Sequence, residues 1–222
     1  LQASLSLKAQ ILKSRKDFDR ALLVLAEIEE VCNQLENEWL LAACLGNKGA
    51  VLTALGNFDT AVALHHKEEA IYRKFNDLAG LSNSLGNQAS VWGLKKEFKT
   101  ALALFCKQER LCRQLGDISG LQRNLYHQGR IFRETKRYRE AIDAFHESEN
   151  ICRKFNNKTE LQECLGNLAS LYQLIGDYDQ TDEILIEREA ICRTIHDSNH
   201  LAETLFETSQ FHTEILKQPE LA

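Results

Sequence analysis

Apolar and polar positions in this sequence repeat with a period of 40 residues. Each unit opens with a leucine, carries an aromatic residue near its middle, and has a small residue shortly after the aromatic one. The leucine column is Leu1, Leu41, Leu81, Leu121, Leu161 and Leu201; the aromatic column is Phe18, Phe58, Phe98, Tyr138 and Tyr178; the small column is Ala21, Ala61, Ala101 and Ala141, with Thr181 breaking it. A period of roughly 20–50 residues is typical of a stacked repeat array.

Within each unit the apolar residues follow the three-and-four spacing of amphipathic helices. The unit near residues 157–196 shows this spacing in Leu161, Cys164, Leu165, Leu168, Leu171, Tyr172 and Ile175. We predict an inner helix near residues 1–14, 40–55, 80–95, 120–135, 160–175 and 199–216, and an outer helix near residues 18–35, 58–75, 98–115, 138–155 and 178–195.

These helices predict an all-α fold, a right-handed α-solenoid of five helix-turn-helix repeats plus a C-terminal capping helix. We expect one domain over residues 1–222, with units near 1–36, 37–76, 77–116, 117–156 and 157–196 and a cap at 197–217. At the turns, Gly56 and Gly176 are expected to end helices in a left-handed conformation. Asn57 and Asp177 are expected to cap the helices that follow.

The unit resembles a tetratricopeptide repeat (TPR), in which a small residue lies in the middle of the inner helix and glycine, an aromatic residue and alanine follow. The small residues here are Gly49, Ala89, Gly129, Ala169 and Ser209. The unit length and the Leu-Gly-Asn signature are similar to the long-helix subclass of spindle-orientation adaptors and kinesin light chains, and similar arrays form sensor regions of large signalling ATPases. Two features depart from the family pattern. No proline closes a repeat, and the second small residue, expected in the outer helix, is replaced by Ile28, Glu68, Gln108, Ser148 and Arg188.

Composition narrows the functional classes. The 222 residues carry a net charge of −5, which gives no indication of nucleic-acid or membrane binding. Methionine is absent, including at position 1, so we expect the chain to be a segment of a longer protein.

Four of the seven cysteines occupy one repeat position: Cys32, Cys112, Cys152 and Cys192. Equivalent positions in neighbouring packed helices lie about 10 Å apart, beyond disulfide reach. Buried, reduced cysteines in the cytoplasm are the expected interpretation.

The sequence contains none of the glycine-rich phosphate loops, metalloprotease motifs or nucleophile motifs of common enzymes. His196 and His200 have ligand-like spacing, but a turn is expected between them, so two surface histidines are the favoured interpretation. We therefore predict no enzymatic activity and no cofactor or metal.

The inner helices of such an array line a long concave face. In TPR domains this face binds extended or helical peptides, and the resemblance assigns the backbone-binding role to Asn47, Asn87 and Asn167, with His127 in the corresponding place. An amide offers both a donor and an acceptor to a peptide group. Asn83, Ser170 and Gln173 are further groove candidates. The alternative is that the asparagines bond to the adjacent inner helix and stabilise the stack.

The inner helix near residues 120–135 breaks the pattern, because Tyr126 replaces glycine and His127 replaces asparagine. Arg123, Arg130 and Arg133 are spaced so that they share a face with these rings. Arginine forms bidentate bonds with carboxylates, and arginine and tyrosine are common at interface hot spots. This helix is the expected specificity centre for an acidic side chain or a terminal carboxylate. A solvated basic face paired with nearby glutamates is the alternative.

Three functions remain open. The first is an adaptor that binds a peptide or helical segment of a partner protein. The second is the sensor or autoinhibitory arm of a larger signalling ATPase, and the third is a structural or self-assembling spacer. The sequence leaves the partner and the oligomeric state undetermined.

Overall fold

The computed structural model describes residue 8 and residues 11–216. Most of the predicted first inner helix and position 217 of the predicted cap lie outside these residues, although residues 11–14 are helical. Ten helices follow: α1 (Phe18–Gln34), α2 (Glu38–Ala54), α3 (Phe58–Lys74), α4 (Leu78–Leu94), α5 (Phe98–Leu115), α6 (Ile118–Glu134), α7 (Tyr138–Lys154), α8 (Lys158–Ile175), α9 (Tyr178–Thr194) and α10 (Ser198–Leu216). None of these helices is both long and apolar enough to cross a bilayer. The predicted all-α repeat architecture is confirmed.

The inner helices begin one or two residues earlier than the apolar pattern predicts. The reason is a polar capping residue whose side chain accepts a hydrogen bond from the first turn. Asn37 accepts from the amide of Leu40 at 3.0 Å, and Asp77 accepts from the amide of Gly80 at 2.8 Å. Asp177 caps α9 as predicted, but the side chain of Asn57 makes no capping bond, so that prediction was wrong. The capping residues lie before the first buried apolar residue of each helix, so the apolar spacing does not predict their positions.

Each turn contains one residue with a positive φ angle, and these residues recur every 20 positions. They are Lys16, Glu36, Gly56, Asn76, Lys96, Gly116, Lys136, Asn156, Gly176 and His196. Gly56 and Gly176 therefore have the left-handed conformation predicted for them. The amide of Asn57 donates to the carbonyl of Leu52 at 2.9 Å, which satisfies one of the last free carbonyls of α2. Because the turns recur every 20 positions, inner and outer helices have nearly the same length.

The chain divides into two compact units, Leu1–Asn124 and Leu125–Ala222. In the first unit, helices adjacent in sequence pack against each other from α1 to α5, and α2 also contacts α4. One part of its core is formed by Ala21, Val24, Leu25, Ile28, Cys32, Cys44 and Val51. The repeat columns therefore supply the buried residues, as the sequence predicts.

In the second unit, α7 packs on α8, α8 on α9, and α9 on α10. Its core contains Ala141, Phe145, Cys152, Leu161, Cys164, Leu165, Leu168, Ala169, Leu171, Ile184, Leu185 and Phe211. Six cysteines of the chain are buried thiols outside any disulfide, and Cys106 is exposed. Burial raises the pKa of Cys44 to about 12, which keeps this thiol protonated and apolar. The six buried cysteines are thus core residues, as expected from their register.

Candidate functional site

The second unit contains a polar groove with a volume of about 430 Å³. Three inner helices, α6, α8 and α10, supply most of its walls. The lining residues are Tyr126, Arg130, Arg133, Glu163, Gly166, Asn167, Ser170, Arg188, His200, Glu203 and Glu207. Only Arg188 comes from an outer helix, α9. The groove therefore combines three arginines, three glutamates and several neutral donors.

Arg188 reaches the groove because Gly166 leaves room for it. A Cβ atom at position 166 would lie 2.7 Å from Cζ of Arg188 and 3.0 Å from its Nε. The Arg188 side chain is only 5% exposed, and it forms ion pairs with Glu207 and, at 3.2 Å, with Glu203. Because Gly166 on α8 has no side chain, the guanidinium of Arg188 packs against it and reaches the carboxylates of Glu203 and Glu207 on α10.

The α10 wall carries more negative than positive charge. Glu203 and Glu207 share the single guanidinium of Arg188. Burial and the nearby charge of Glu203 raise the pKa of Glu207, while Arg188 opposes this shift. At the start of α10, His200 bonds to Asp197 through Nδ1 at 2.7 Å. The α10 wall is therefore acidic, but its charged groups already have partners within the protein.

The opposite wall, from α6, is organised around Tyr126. Its ring contacts Phe145 edge to face, with centroids 5.7 Å apart. Burial, together with the charge and hydrogen bond of Glu163, raises the pKa of the Tyr126 phenol. The amide of Asn167 lies 3.5 Å from the phenol oxygen. The phenol is therefore neutral near pH 7 and held between α6 and α8.

Asn167 is occupied by contacts within the protein. Its Oδ1 accepts a hydrogen bond from Nη1 of Arg133 at 2.8 Å, and its Nδ2 donates to the carbonyl of Glu163 at 2.8 Å. The bond to Arg133 joins α8 to the inner helix α6, which is the alternative, stack-stabilising role that the sequence analysis gave the asparagines. Arg133 is engaged in the same contact.

Arg130 differs from the other two groove arginines. Its side chain is exposed, and it forms no hydrogen bond or ion pair with any residue that the structure describes. Ser170 on α8 is also exposed and lines the same groove. These two side chains have their bonding capacity available to a ligand.

Five of the eleven residues predicted from the sequence line the groove: Tyr126, Arg130, Arg133, Asn167 and Ser170. Gln173 and His127 belong to the same unit but not to the lining, and the His127 ring contacts Tyr126 with centroids 5.6 Å apart. The remaining four lie in the first unit, where Asn47 and Asn87 are partly buried and Asn83 and Arg123 are exposed.

Sequence reasoning missed Glu163, Gly166, Arg188, His200, Glu203 and Glu207. A signal for Arg188 was available in two breaks of the repeat pattern: Tyr126 replaces the inner-helix glycine, and larger residues replace the small residue of the outer helix. Where the inner helix has Gly46, Gly86 or Gly166, the residue 22 positions later is Glu68, Gln108 or Arg188, each buried against that glycine. Where the inner helix instead has Tyr126, the residue 22 positions later is Ser148. Large and small residues exchange across the helix pair, so these two breaks of the repeat pattern are one feature.

A larger cavity of about 670 Å³ lies beside the turn between α8 and α9. Two of its three acidic residues have structural partners: Asp177 caps α9, and Asp182 bonds to His212 at 2.7 Å. Among the described residues, no three His, Cys, Asp or Glu side chains are grouped as metal ligands. The polar groove remains the better candidate site.

Three solved structures show the same fold. A signal transduction ATPase with a tetratricopeptide repeat sensor, from Pyrococcus horikoshii, matches with a TM-score of 0.80 and 18% identity, over 94% of this chain and 34% of that one. A Rap protein complexed with Competence and Sporulation Factor matches with a TM-score of 0.76 and 18% identity, over 93% of this chain and 64% of that one. Kinesin light chain TPR-like repeats from Podosopora anserina match with a TM-score of 0.70 and 16% identity, over 88% of this chain and 96% of that one.

This chain spans less than two thirds of the ATPase and of the Rap protein. No protein-family model and no curated protein matches the sequence. The likeness is therefore one of structure, and it confirms the resemblance drawn from the repeats. The chain has the tetratricopeptide-repeat fold.

Proposed function

We propose that this chain is a protein-interaction scaffold that binds a peptide or helical segment of a partner in the groove of its second unit. Arg130 is the residue that receives a carboxylate of the partner, from an acidic side chain or a chain terminus. The single observation that carries the proposal is that Arg130 lines a polar groove without a hydrogen bond or ion pair to any described residue.

The surroundings of Arg130 support this role. Tyr126 stands on the same helix and presents a half-buried ring whose position is set by Phe145 and Glu163. An aromatic ring beside an arginine is the composition of an interface hot spot. Because Arg133 and Arg188 already have acceptors within the protein, a ligand carboxylate meets its least compensated positive charge at Arg130.

The role of the asparagines is reduced compared with the sequence prediction. Asn167 bonds to Arg133 and to its own helix, so it supports α6 and α8 rather than offering a free amide. Exposed Ser170 is the neighbouring group on α8 that can bond a peptide backbone. We assign ligand contact to Arg130, Tyr126 and Ser170, and support of the groove wall to Asn167 and Arg133.

The similar structures are consistent with a binding function. The Rap protein structure contains Competence and Sporulation Factor, so the fold accommodates a bound molecule. The TPR segment of the Pyrococcus horikoshii ATPase is described as a sensor, and its similarity supports a second candidate, the sensor arm of a larger signalling protein. Both candidates use the groove for recognition. Buried, reduced thiols throughout the core favour a reducing compartment such as the cytoplasm.

Selection of a displayed peptide library on the immobilised protein tests the proposal. We expect the selected peptides to share an acidic position. Arg130→Ala should weaken their binding by about 10–100-fold, the effect of losing a hydrogen bond to a charged group. Arg139→Ala is the matched control, because Arg139 is an exposed arginine on the outer helix α7. Synthesis of each peptide with a free and an amidated C-terminus distinguishes a terminal carboxylate from an acidic side chain.

Selected peptides that bind Arg130→Ala and the native chain within threefold would contradict the groove assignment. Equal losses in Arg130→Ala and Arg139→Ala would show a general electrostatic effect instead of a site. For the sensor candidate, adding the selected peptide should change the nucleotide hydrolysis rate of any signalling ATPase in which this chain is the sensor arm.

A further inference from the structure

The charges that line the polar groove are segregated by helix. Helix α6 contributes Arg130 and Arg133 and no acidic side chain, whereas α10 contributes Glu203 and Glu207 and no lysine or arginine. Over the whole lining, three arginines and three glutamates cancel each other. The groove therefore has no net charge from these groups, but it presents a positive wall on one side and a negative wall on the other.

The positive wall keeps guanidinium charge that no carboxylate neutralises. Arg130 is exposed and forms no ion pair with any residue that the structure describes. Arg133, three positions later on the same face of α6, bonds to Oδ1 of Asn167, which is a neutral amide oxygen. Glu163 of α8 hydrogen-bonds to the phenol of Tyr126 and forms no ion pair with either arginine in the described part of the chain. An anionic ligand group is therefore attracted to α6.

The negative wall keeps one carboxylate charge in excess. Glu203 and Glu207 share the single guanidinium of Arg188. The side chains of the two glutamates are 57% and 40% exposed, so both remain accessible from the groove. Burial and the charge of Glu203 raise the pKa of Glu207, which is the effect of two carboxylates with too little positive charge between them. A cationic ligand group would supply that charge.

The distance between the two walls sets the spacing of the ligand charges. Packed helices lie about 10 Å apart, so α6 and α10, with α8 between them, are separated by roughly 20 Å. An extended chain advances about 3.3 Å per residue and covers this distance in about six residues. The exposed hydroxyl of Ser170 on α8 favours this extended form, because an extended chain has free backbone groups to bond, whereas a helix has already used its own.

We infer that the groove selects an extended, bipolar segment of its partner, in which an acidic group and a lysine or arginine side chain are about six residues apart. The acidic group binds Arg130, and the cationic side chain binds between Glu203 and Glu207. This charge pattern rests on the function proposed for the groove and specifies the partner further. A uniformly acidic segment would meet the α10 carboxylates with like charge and bind less tightly.

Random 12-residue peptides displayed on phage and selected on the native chain provide the probes. Among peptides that bind Arg130→Ala at least tenfold more weakly than the native chain, we expect a lysine or arginine five to seven positions from the acidic group. One such peptide, and its form with glutamine in place of the basic residue, are titrated by fluorescence anisotropy. The glutamine form should bind the native chain about fivefold more weakly, as for the loss of a partly exposed ion pair. The two forms should bind Glu203→Gln equally.

Circular dichroism verifies that Glu203→Gln folds, as expected because Glu203 is largely exposed and Glu207 still pairs with Arg188. Glu183→Gln is the matched control, because it removes the same charge from an exposed position on the outer helix α9. This control should keep the fivefold preference of the native chain. A preference lost equally in both variants would show a general charge effect and overturn the inference.

Two outcomes separate this inference from the proposed function. Selected peptides that depend on Arg130 but lack a basic residue at that spacing would overturn the bipolar pattern and leave the proposed function standing, as would a fivefold preference that persists in Glu203→Gln. Selected peptides that bind Arg130→Ala as tightly as the native chain would overturn both.

Discussion

Replacing Gly166 with alanine perturbs the passage through which Arg188 reaches the groove. The new Cβ atom would lie 2.7 Å from Cζ of Arg188, closer than Cβ contacts in real structures. Arg188 has little freedom to move away, since its side chain is 5% exposed and bonded to Glu203 and Glu207. The substitution therefore displaces a buried guanidinium and weakens its ion pairs.

The expected effect is the sum of two opposing contributions. Overpacking of a close-packed interior destabilises by about 1–3 kcal/mol. Alanine is favoured over glycine inside a helix by roughly 1 kcal/mol. Gly166→Ala should therefore lower the free energy of unfolding by up to about 2 kcal/mol. When Arg188→Ser has removed the long side chain, the same change should raise it by about 1 kcal/mol, as Ser148 accommodates Tyr126.

Urea denaturation followed by circular dichroism, for the native chain, both single variants and the double variant, measures the coupling between the two positions. We expect a coupling of about 1–3 kcal/mol, within the range for residues in contact. Ser170→Ala, an exposed change on the same helix, should have the same small effect with and without Arg188→Ser. Equal effects of Gly166→Ala in both backgrounds would refute the reasoning.

Two further predictions concern stability. Lys136→Gly should raise the free energy of unfolding by about 1 kcal/mol, because Lys136 holds a φ of 60° that costs an L-residue about that much. Lys107→Gly, at an exposed position inside α5, should lower it by about 1 kcal/mol in the same urea assay. Burial alone would raise the pKa of Glu149, but hydrogen bonds from His146 and Arg153 outweigh burial and lower this pKa. The contribution of Glu149 to stability is therefore present above the ordinary pKa of 4.5 and is lost as the pH falls through the lowered pKa. Glu149→Gln should lose less stability than the native chain when unfolding is compared at about pH 6 and below pH 4; an identical pH dependence of the two proteins would contradict this assignment.

The helices, their pairing and the left-handed turns at Gly56 and Gly176 could be predicted because they depend on local rules repeated five times. Apolar spacing defines the buried side of each helix, and glycine marks a turn without reference to the rest of the chain. The helix starts were shifted because capping residues precede the apolar pattern. The left-handed turns at Lys96 and Lys136 have no local signal, since lysine does not favour a positive φ.

The candidate site was predicted only in part. Tyr126 and Arg130 could be found because they interrupt a repeat, and both line the groove. Arg188 was noted only as a departure from the family pattern, because a residue on an outer helix is not expected to reach an inner face. It reaches the groove only because Gly166 and the α10 carboxylates are brought together by packing.

The sequence by itself determined the period, the helical elements and the residues available at each repeat position, because these follow from spacing along one chain. The tertiary structure decided which polar groups use their bonding capacity within the protein. Asn167 and Arg133 were equal candidates with Arg130 until their side chains were placed 2.8 Å apart. Hydrogen bonds depend on distances between side chains from different helices, and a one-dimensional pattern does not contain those distances.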